Sequence, residues 1–181
     1  MRPRIYSSEG IILKRKNYGE ADRILTVFSK HFGKNTFLAK GVRKLASKKR
    51  GHLEIFTQIK FSAVTGKGFD ILTETISINN FSKVRLSLNK VSLAYYFCEV
   101  VNKITREGEK QSIVYGLLST ALEQLSTAKN LKILRKQFIL DLLIDLGFWP
   151  ESRKMIDHDI ELEEVLERQI YSVRVGKKVL E

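Results

Sequence analysis

The stretch EGIILKRKNYGEADRILTVF, residues 9–28, predicts two β-strands joined by a tight turn. The strands are residues 9–16 and 23–32, and the polar residues between them include Gly19, which readily adopts a positive φ. Gly33 and Lys34 form a second tight turn before a third strand over residues 35–42. The chain therefore begins with three consecutive strands.

Two more strands follow after a basic segment. Residues 57–65 alternate between apolar and polar side chains, and Gly66-Lys67-Gly68 closes a hairpin to residues 70–78. Five short strands within residues 1–80 are typical of a small closed barrel, of which the OB-fold is the best-known type. Closure removes exposed sheet edges, and OB-folds often bind single nucleic-acid strands on one face.

The composition changes near Phe81, and the rest of the chain predicts helices. Apolar residues recur at helical spacing over residues 91–105, 112–125, 131–146 and, more weakly, 157–167. The predicted fold class is therefore α+β. A five-stranded OB-fold barrel at residues 1–80 precedes an all-helical domain at residues 81–181.

Three residues are predicted to mark helix ends. Ser112 and Asn130 are candidates to cap the helices that follow them, and Gly147 is placed to end the helix before it. Residues 171–181 fit either a strand or a frayed tail.

Positive charge is concentrated in the predicted barrel. Residues 1–80 hold 16 Lys and Arg against 6 Asp and Glu, whereas residues 81–181 hold 16 against 14. Residues 40–50 alone carry six cations and no acid. A polyanion such as nucleic acid would neutralise their mutual repulsion, although such a run can also be a solvated surface without a partner. The candidate phosphate-binding residues are Lys14, Arg15, Arg23, Lys34, Lys40, Arg43, Lys44, Lys48, Lys49 and Arg50, with Lys16 beside them.

Aromatic residues lie among these cations in the sequence. Tyr18, Phe28, Phe37 and Phe56 are the candidates to stack on bases, at about 1–3 kcal/mol per base if exposed. The alternative is that Phe28, Phe37 and Phe61 fill the barrel core, which leaves Tyr18 as the exposed one. Binding dominated by phosphate contacts is expected to tolerate any base sequence.

Signatures of catalysis and of bound cofactors are missing from the sequence. The three histidines lack motif neighbours, Gly66-Lys67-Gly68 is too short for a phosphate-binding loop, and the single cysteine, Cys98, fits a buried apolar residue. We therefore expect a binding protein with no cofactor and no metal, rather than an enzyme. No apolar run approaches the length of a membrane span and no signal peptide follows Met1, so a cytoplasmic protein is expected.

A second basic feature begins the third predicted long helix. Lys132, Arg135 and Lys136 precede an otherwise apolar helix. Basic residues at the edge of an apolar groove can hold an acidic, hydrophobic peptide tail. The alternative is a solvated helix face.

Several motifs together resemble the bacterial RecO recombination mediators. They are Glu9-Gly10-Ile11-Ile12-Leu13-Lys14, Tyr18-Gly19-Glu20-Ala21-Asp22-Arg23-Ile24-Leu25, Phe32-Gly33-Lys34, Ala39-Lys40-Gly41-Val42-Arg43, Leu53-Glu54-Ile55-Phe56, and Arg135 with Phe138 to Phe148 and Pro150. The matches keep the same order over residues 8–150, and the Tyr-Gly-Glu-Ala-Asp-Arg turn is the most specific of them.

The resemblance implies a function in DNA repair. It implies binding of single- and double-stranded DNA, annealing of complementary strands, and action with RecR to load RecA onto strands coated by single-strand-binding protein. It also implies that the Lys40 to Arg43 region contacts DNA and that the helix bearing Arg135 receives the acidic carboxy-terminal tail of the single-strand-binding protein. Many relatives carry a four-cysteine zinc module, which is expected to be absent because residues 151–181 contain no cysteine.

Two other functions fit the residues without the resemblance. An RNA- or ribosome-associated OB-fold protein would show the same phosphate-binding features, because phosphate contacts alone do not distinguish RNA from DNA. A protein-interaction adaptor would depend mainly on its helical half, with the basic segment solvated.

Overall fold

The computed structural model describes residues 4–44 and 53–166, and its first half is a closed five-stranded barrel. The strands are β1 (Ile5–Tyr18), β2 (Asp22–Ser29), β3 (Gly33–Ala39), β4 (Gln58–Val64) and β5 (Asp70–Asn79). They hydrogen-bond in the order β1-β2-β3-β5-β4, and β1 closes the barrel on β4. The predicted α+β class, an OB-fold barrel followed by helices, is confirmed.

The long first strand makes closure possible because it pairs with two partners. Its first half pairs with β4 and its second half with β2, and the register with β2 shifts between Ile12 and Lys14. At Gly10, where both partners are paired, a Cβ atom would lie 2.5 Å from the Val27 Cγ1 atom. Only glycine fits this close approach between strands without a shift of its neighbours.

The other strands differ from their predicted bounds at the ends. β2 ends at Ser29 because its hydroxyl accepts a hydrogen bond from the Phe32 N–H at 3.1 Å and turns the chain. β3 ends at Ala39 rather than at residue 42 because Gly41, at φ 65°, begins a further turn. β3 and β5 share only two parallel residue pairs, Phe37 with Asp70 and Leu38 with Ile71.

Five helices follow the barrel in the described residues. They are α1 (Ser82–Arg85), α2 (Leu88–Ile104), α3 (Ser112–Thr127), α4 (Leu131–Asp145) and α5 (His158–Leu166). The one-turn helix α1 was not predicted, and α2 begins three residues before its predicted start. In this part of the chain, no helix has the length and apolar character needed to cross a bilayer.

The helix ends match two of the three predicted caps. Asn130 accepts a hydrogen bond from the Ile133 N–H at 3.1 Å and so caps α4. Gly147 has φ 75° and donates to Ile144 O, while Phe148 donates to Leu143 O, which is a Schellman motif. The Ser112 prediction is wrong, because Gln111 occupies the N-cap position of α3 and its side chain makes no capping hydrogen bond.

Two hydrophobic clusters hold the molecule together, and the larger one joins its two halves. The barrel interior includes Phe37 and Phe61. The second cluster packs Ile11, Leu13, Phe28 and Phe56 of the barrel half against helical residues. The assignment of Phe28 to the barrel interior is therefore corrected: its partner in register, Ile11, lies on the same outer face, which the helices cover.

Candidate nucleic-acid interface

The turn between β1 and β2 is tied to the start of the basic segment. The Arg43 N–H donates to Ala21 O at 2.8 Å, and the Gly41 N–H donates to the Asp22 Oδ1 atom at 2.7 Å. The Arg43 guanidinium also donates to Gly19 O at 3.0 Å. These contacts fix residues 40–44 beside the β1–β2 turn, at one end of the barrel.

The strand register places two further lysines near that end. Lys14 pairs with Thr26 and Lys16 with Ile24, while the intervening Arg15 pairs with the interior residue Leu25. Alternation along β1 therefore puts Lys14 and Lys16 on its outer face. We call the following group the basic rim: Lys14, Lys16, Tyr18, Lys40, Arg43 and Lys44. All but the partly buried Arg43 are exposed.

Arg15 and Arg23 have an internal partner in Glu54. The guanidinium groups of both arginines contact the Glu54 Oε1 atom, Arg23 at 3.5 Å, and the Arg23 side chain is only 15% exposed. One carboxylate therefore offsets part of the charge of two candidate phosphate ligands. DNA contact by Arg15 and Arg23 stays a prediction, and the basic rim does not include them.

The Lys34 side chain makes hydrogen bonds within the protein. Its Nζ atom donates to Asn102 O and Thr105 O at the carboxy-terminal end of α2. A cation there satisfies carbonyl groups that have no partner within the helix. Burial lowers the pKa of Lys34, and the charge of Glu107 partly opposes that shift. The structure thus gives Lys34 a role in attaching α2 to the barrel.

Of the aromatic candidates, Tyr18 alone is exposed. Its side chain is 51% exposed, whereas Phe28, Phe37 and Phe56 are fully buried. Phe56 lies under a guanidinium, with the Arg85 Cζ atom 3.8 Å from its ring centroid. Tyr18 is therefore the residue of this group that is placed to stack on a base.

The remaining basic candidates of the first half lie outside the described residues. These are Lys48, Lys49 and Arg50. Their contact with nucleic acid stays a prediction from the sequence.

The three basic residues of α4 do not form one surface site. Lys132 and Lys136 are exposed, whereas Arg135 is 7% exposed. The Arg135 guanidinium donates to the Asp159 carboxylate of α5 and lies 4.7 Å from the Tyr96 ring centroid. Arg135 therefore joins α4 to α5 in this structure.

A small groove runs between α3 and α4. Its volume is about 90 Å³. Its described lining residues are Leu117, Thr120, Ala121, Gln124, Leu134, Gln137, Phe138 and Asp141. None of these is basic, so Lys132 and Lys136 lie outside the lining.

Sequence reasoning missed Glu54, Asp22 and Arg85 as residues that shape this end of the barrel. A signal for Glu54 is present, because it is the sole acidic residue between Asp22 and Asp70. A single carboxylate in so basic a stretch is expected to pair with neighbouring cations. Arg85 gives no comparable signal, since its contact with Phe56 depends on tertiary packing.

Two family models match the chain in succession. The model described as Recombination protein O N terminal matches residues 1–81, and the model described as Recombination protein O C terminal matches residues 85–159. The first match covers the barrel and the second covers most of the described helices.

Curated relatives match over most of this chain. The DNA repair protein RecO of Roseiflexus sp. (strain RS-1) is 31% identical over 151 residues, which cover 83% of this chain and 53% of that protein. The protein of the same name from Dehalococcoides mccartyi (strain ATCC BAA-2266 / KCTC 15142 / 195) is 33% identical over 153 residues, covering 84% and 60%. The chain thus spans between half and three fifths of the length of these relatives.

Proposed function

Because this chain belongs to the RecO family, we propose that it is a DNA-binding recombination mediator in DNA repair. In this proposal it anneals complementary strands and, with RecR, loads RecA onto DNA coated by single-strand-binding protein. It performs no covalent chemistry. The basic rim is the observation that carries the proposal, since five of its six side chains are exposed cations or an exposed aromatic ring at one end of the barrel.

Annealing follows physically from charge neutralisation. Two DNA strands repel each other through their phosphates, and a protein that neutralises phosphates on both strands releases counterions and lowers that repulsion. Contacts to phosphate do not depend on the bases, so complementary strands of any sequence are substrates. Tyr18 adds base stacking of about 1–3 kcal/mol to the strand nearest the β1–β2 turn.

The contact with the single-strand-binding protein belongs to the helical half in this proposal. Lys132 and Lys136 are exposed on α4, and the separate α3–α4 groove has apolar lining residues such as Leu134 and Phe138. The exposed lysines attract an acidic tail, while an apolar groove is suited to an apolar tail end. Arg135 would take part only after Asp159 has left it, since that carboxylate already occupies the guanidinium.

An annealing assay tests the proposal directly. Two complementary labelled oligonucleotides are mixed with the protein, with and without single-strand-binding protein, at two salt concentrations. We expect faster annealing on both bare and coated strands. With roughly six phosphate contacts, affinity for DNA should fall about a thousandfold from 50 to 200 mM salt. A flat salt response would contradict phosphate-dominated binding.

A competition assay distinguishes DNA binding from the alternative of RNA binding. A competitor RNA strand of matched sequence is added in increasing amounts to the DNA-bound protein. Displacement by RNA at much lower concentration than by DNA would favour an RNA- or ribosome-associated protein. In the annealing assay, failure of the protein to speed annealing of strands coated by single-strand-binding protein would contradict the mediator role. The protein would then be a nucleic-acid-binding barrel.

One substitution ties the affinity to the basic rim. Lys40→Ala should weaken DNA binding up to about tenfold at 100 mM salt and reduce the salt slope by about one, equally for all sequences. Lys129→Ala is the matched control, because Lys129 is also exposed but lies in the α3–α4 loop. Fluorescence anisotropy with two unrelated oligonucleotides measures both effects. Equal losses for the two variants would mean that the basic rim is not the binding surface.

A further inference from the structure

Helix α5 has the composition of an acidic, apolar peptide. Its nine residues, His158–Leu166, comprise four acidic residues, four aliphatic residues and one histidine. The helix contains no lysine or arginine, in a chain of net charge +12. It packs on α4, on which Lys132 and Lys136 are exposed. An acidic segment of this chain therefore already lies against the helix that carries the second basic feature.

An ion pair joins these two helices. The Asp159 carboxylate accepts a hydrogen bond from the Arg135 Nη2 atom, and both side chains are nearly buried. Lys132, Arg135 and Lys136 lie on one side of α4, because residues three and four apart are neighbours on a helix. Burial, and next the charge of Lys136, lower the pKa of His158, which places the Lys136 ammonium close to α5. The position of α5 therefore keeps Arg135 from forming one basic surface with the two lysines.

The contact between α4 and α5 is incompletely satisfied. Each helix has one buried polar atom without a hydrogen-bond partner among the described residues, Arg135 Nε on α4 and His158 Nδ1 on α5. Such an atom opposes the packing, because it loses water on burial and gains no partner. A helix of nine residues is also marginal without its packing. The attachment of α5 therefore depends on few groups, chiefly the Asp159 carboxylate and the fully buried Leu162.

We propose that α5 is an internal occupant of a protein-docking surface on α4, and that an acidic peptide displaces it. This inference rests on the proposed function, in which the acidic tail of the single-strand-binding protein binds the helical half. On displacement, a carboxylate of the tail takes the place of Asp159 on Arg135. That carboxylate can also accept a hydrogen bond from the Nε atom, which has no partner within the described residues. The exchange conserves an ion pair and leaves the guanidinium with a partner.

Displacement of α5 would leave three cations on one side of α4. With α5 in place, an acidic peptide binds strongly only to the fraction of molecules in which the helix has left. Tails lie close together on DNA coated by single-strand-binding protein, so their effective concentration is high. Helix α5 thus favours docking on coated DNA over docking of a free acidic protein.

Fluorescence anisotropy on the whole chain tests the proposal, with the acidic tail of the single-strand-binding protein as a labelled peptide. Asp159→Asn keeps the shape of the side chain and removes its charge. It should tighten peptide binding about tenfold or more, because α5 is then displaced in more molecules and Arg135 lacks a carboxylate. Glu164→Gln makes the same change of charge at an exposed position of α5, and should leave the affinity within about twofold.

Arg135→Met separates exchange of the carboxylate from release of α5 alone. It breaks the same ion pair as Asp159→Asn but removes the cation, so it should show none of the gain in peptide affinity. Amide hydrogen exchange gives a second readout that needs no variant. Saturating peptide should speed exchange at residues 162–166 of α5 in the unchanged chain and leave exchange in α3 as it was.

Three results would overturn the proposal. They are equal peptide affinities of Asp159→Asn and the unchanged chain, an equal gain in Arg135→Met, and exchange in α5 that bound peptide does not speed. If the peptide binds none of these proteins, both the proposal and the tail contact of the proposed function are wrong. DNA binding is measured apart from these results, since α5 lies outside the basic rim, and all three variants should anneal bare strands as fast as the unchanged chain.

Discussion

Glu54 contacts the guanidinium groups of both Arg15 and Arg23, so one carboxylate sets how much charge this end of the barrel presents. The Arg15–Glu54 pair is about one third exposed, which makes its worth to folding small. Its larger effect is to remove one unit of positive charge next to the basic rim. At this scale, function depends on pairings that composition alone does not reveal.

His158 makes stability depend on pH. Burial lowers its pKa below the ordinary value of 6.5, the charges of Lys136 and Arg135 act in the same direction, and Asp159 and Asp157 oppose them. The unfolded chain then binds a proton more readily than the folded one. Stability from this residue is therefore complete above pH 6.5 and falls as the pH drops from 6.5 through the folded pKa.

His158→Gln should flatten this part of the pH profile. Urea unfolding above pH 6.5 and about one unit below it measures the change, since the slope reports the difference in bound protons. His31→Gln serves as the control because His31 is exposed in the β2–β3 turn. An unchanged slope in the His158 variant would exclude that histidine as the source.

At the scale of elements, the start of β3 is a point of close contact with the helical half. Gly33 has φ 65°, and a Cβ atom there would lie 1.8 Å from Glu109 O. Gly147, by contrast, has φ 75° but open space around its missing Cβ. A side chain at Gly147 would therefore cause backbone strain alone, whereas one at Gly33 would add a steric clash.

Gly147→Ala should cost about 1 kcal/mol, the ordinary cost of a left-handed residue with a side chain. Gly33→Ala should cost about 3 kcal/mol or more, because the backbone of the α2–α3 segment must also move. Chemical denaturation of both variants measures the difference. Equal losses of stability in the two variants would mean that the α2–α3 segment moves away from residue 33 at no energetic cost.

The attachment of α5 depends on a buried ion pair. The side chains of Arg135 and Asp159 are 8% and 10% exposed, and Arg135 also lies over the Tyr96 ring. Arg135→Ala should cost about 3–5 kcal/mol, because it removes the guanidinium that offsets the charge of a buried carboxylate. Lys136→Ala, at the adjacent exposed position, should stay within about 0.5 kcal/mol.

A double-mutant cycle isolates the pair from other losses. Arg135→Met combined with Asp159→Leu should cost less than the sum of the two single changes, since neither charge is then left alone. Denaturation of all four proteins gives the coupling energy. Additive costs would show that α5 does not depend on this contact.

The elements themselves were largely predictable, whereas the side-chain partners were not. Alternation over residues 57–65 and helical spacing over residues 131–146 are local signals, and β4 and α4 match them closely. Helix α1 was not predicted because four residues are too few to show the periodicity of a helix. The hydrogen bonds of Lys34 were not predicted because its acceptors, Asn102 and Thr105, are 68 and 71 residues away in the chain.

At the scale of the whole molecule, the cluster that joins barrel and helices predicts one cooperative unfolding transition. Phe28 of β2 and Trp149, the single tryptophan, belong to the same cluster. Tryptophan fluorescence and far-ultraviolet circular dichroism should therefore give coincident midpoints. Phe28→Ala should lower both midpoints together, at a cost of about 3–5 kcal/mol. Two separated transitions would mean that the halves fold independently.

The one-turn helix α1 connects the barrel to α2, and its Arg85 holds that connection in place. Arg85 donates to Asn80 O at 2.7 Å and to Ile55 O and the Thr57 hydroxyl at 3.0 Å. These hydrogen bonds tie the connection between β5 and α2 to the segment that precedes β4. In the proposed function, this connection sets the spacing between a DNA strand on the basic rim and a protein partner on α4.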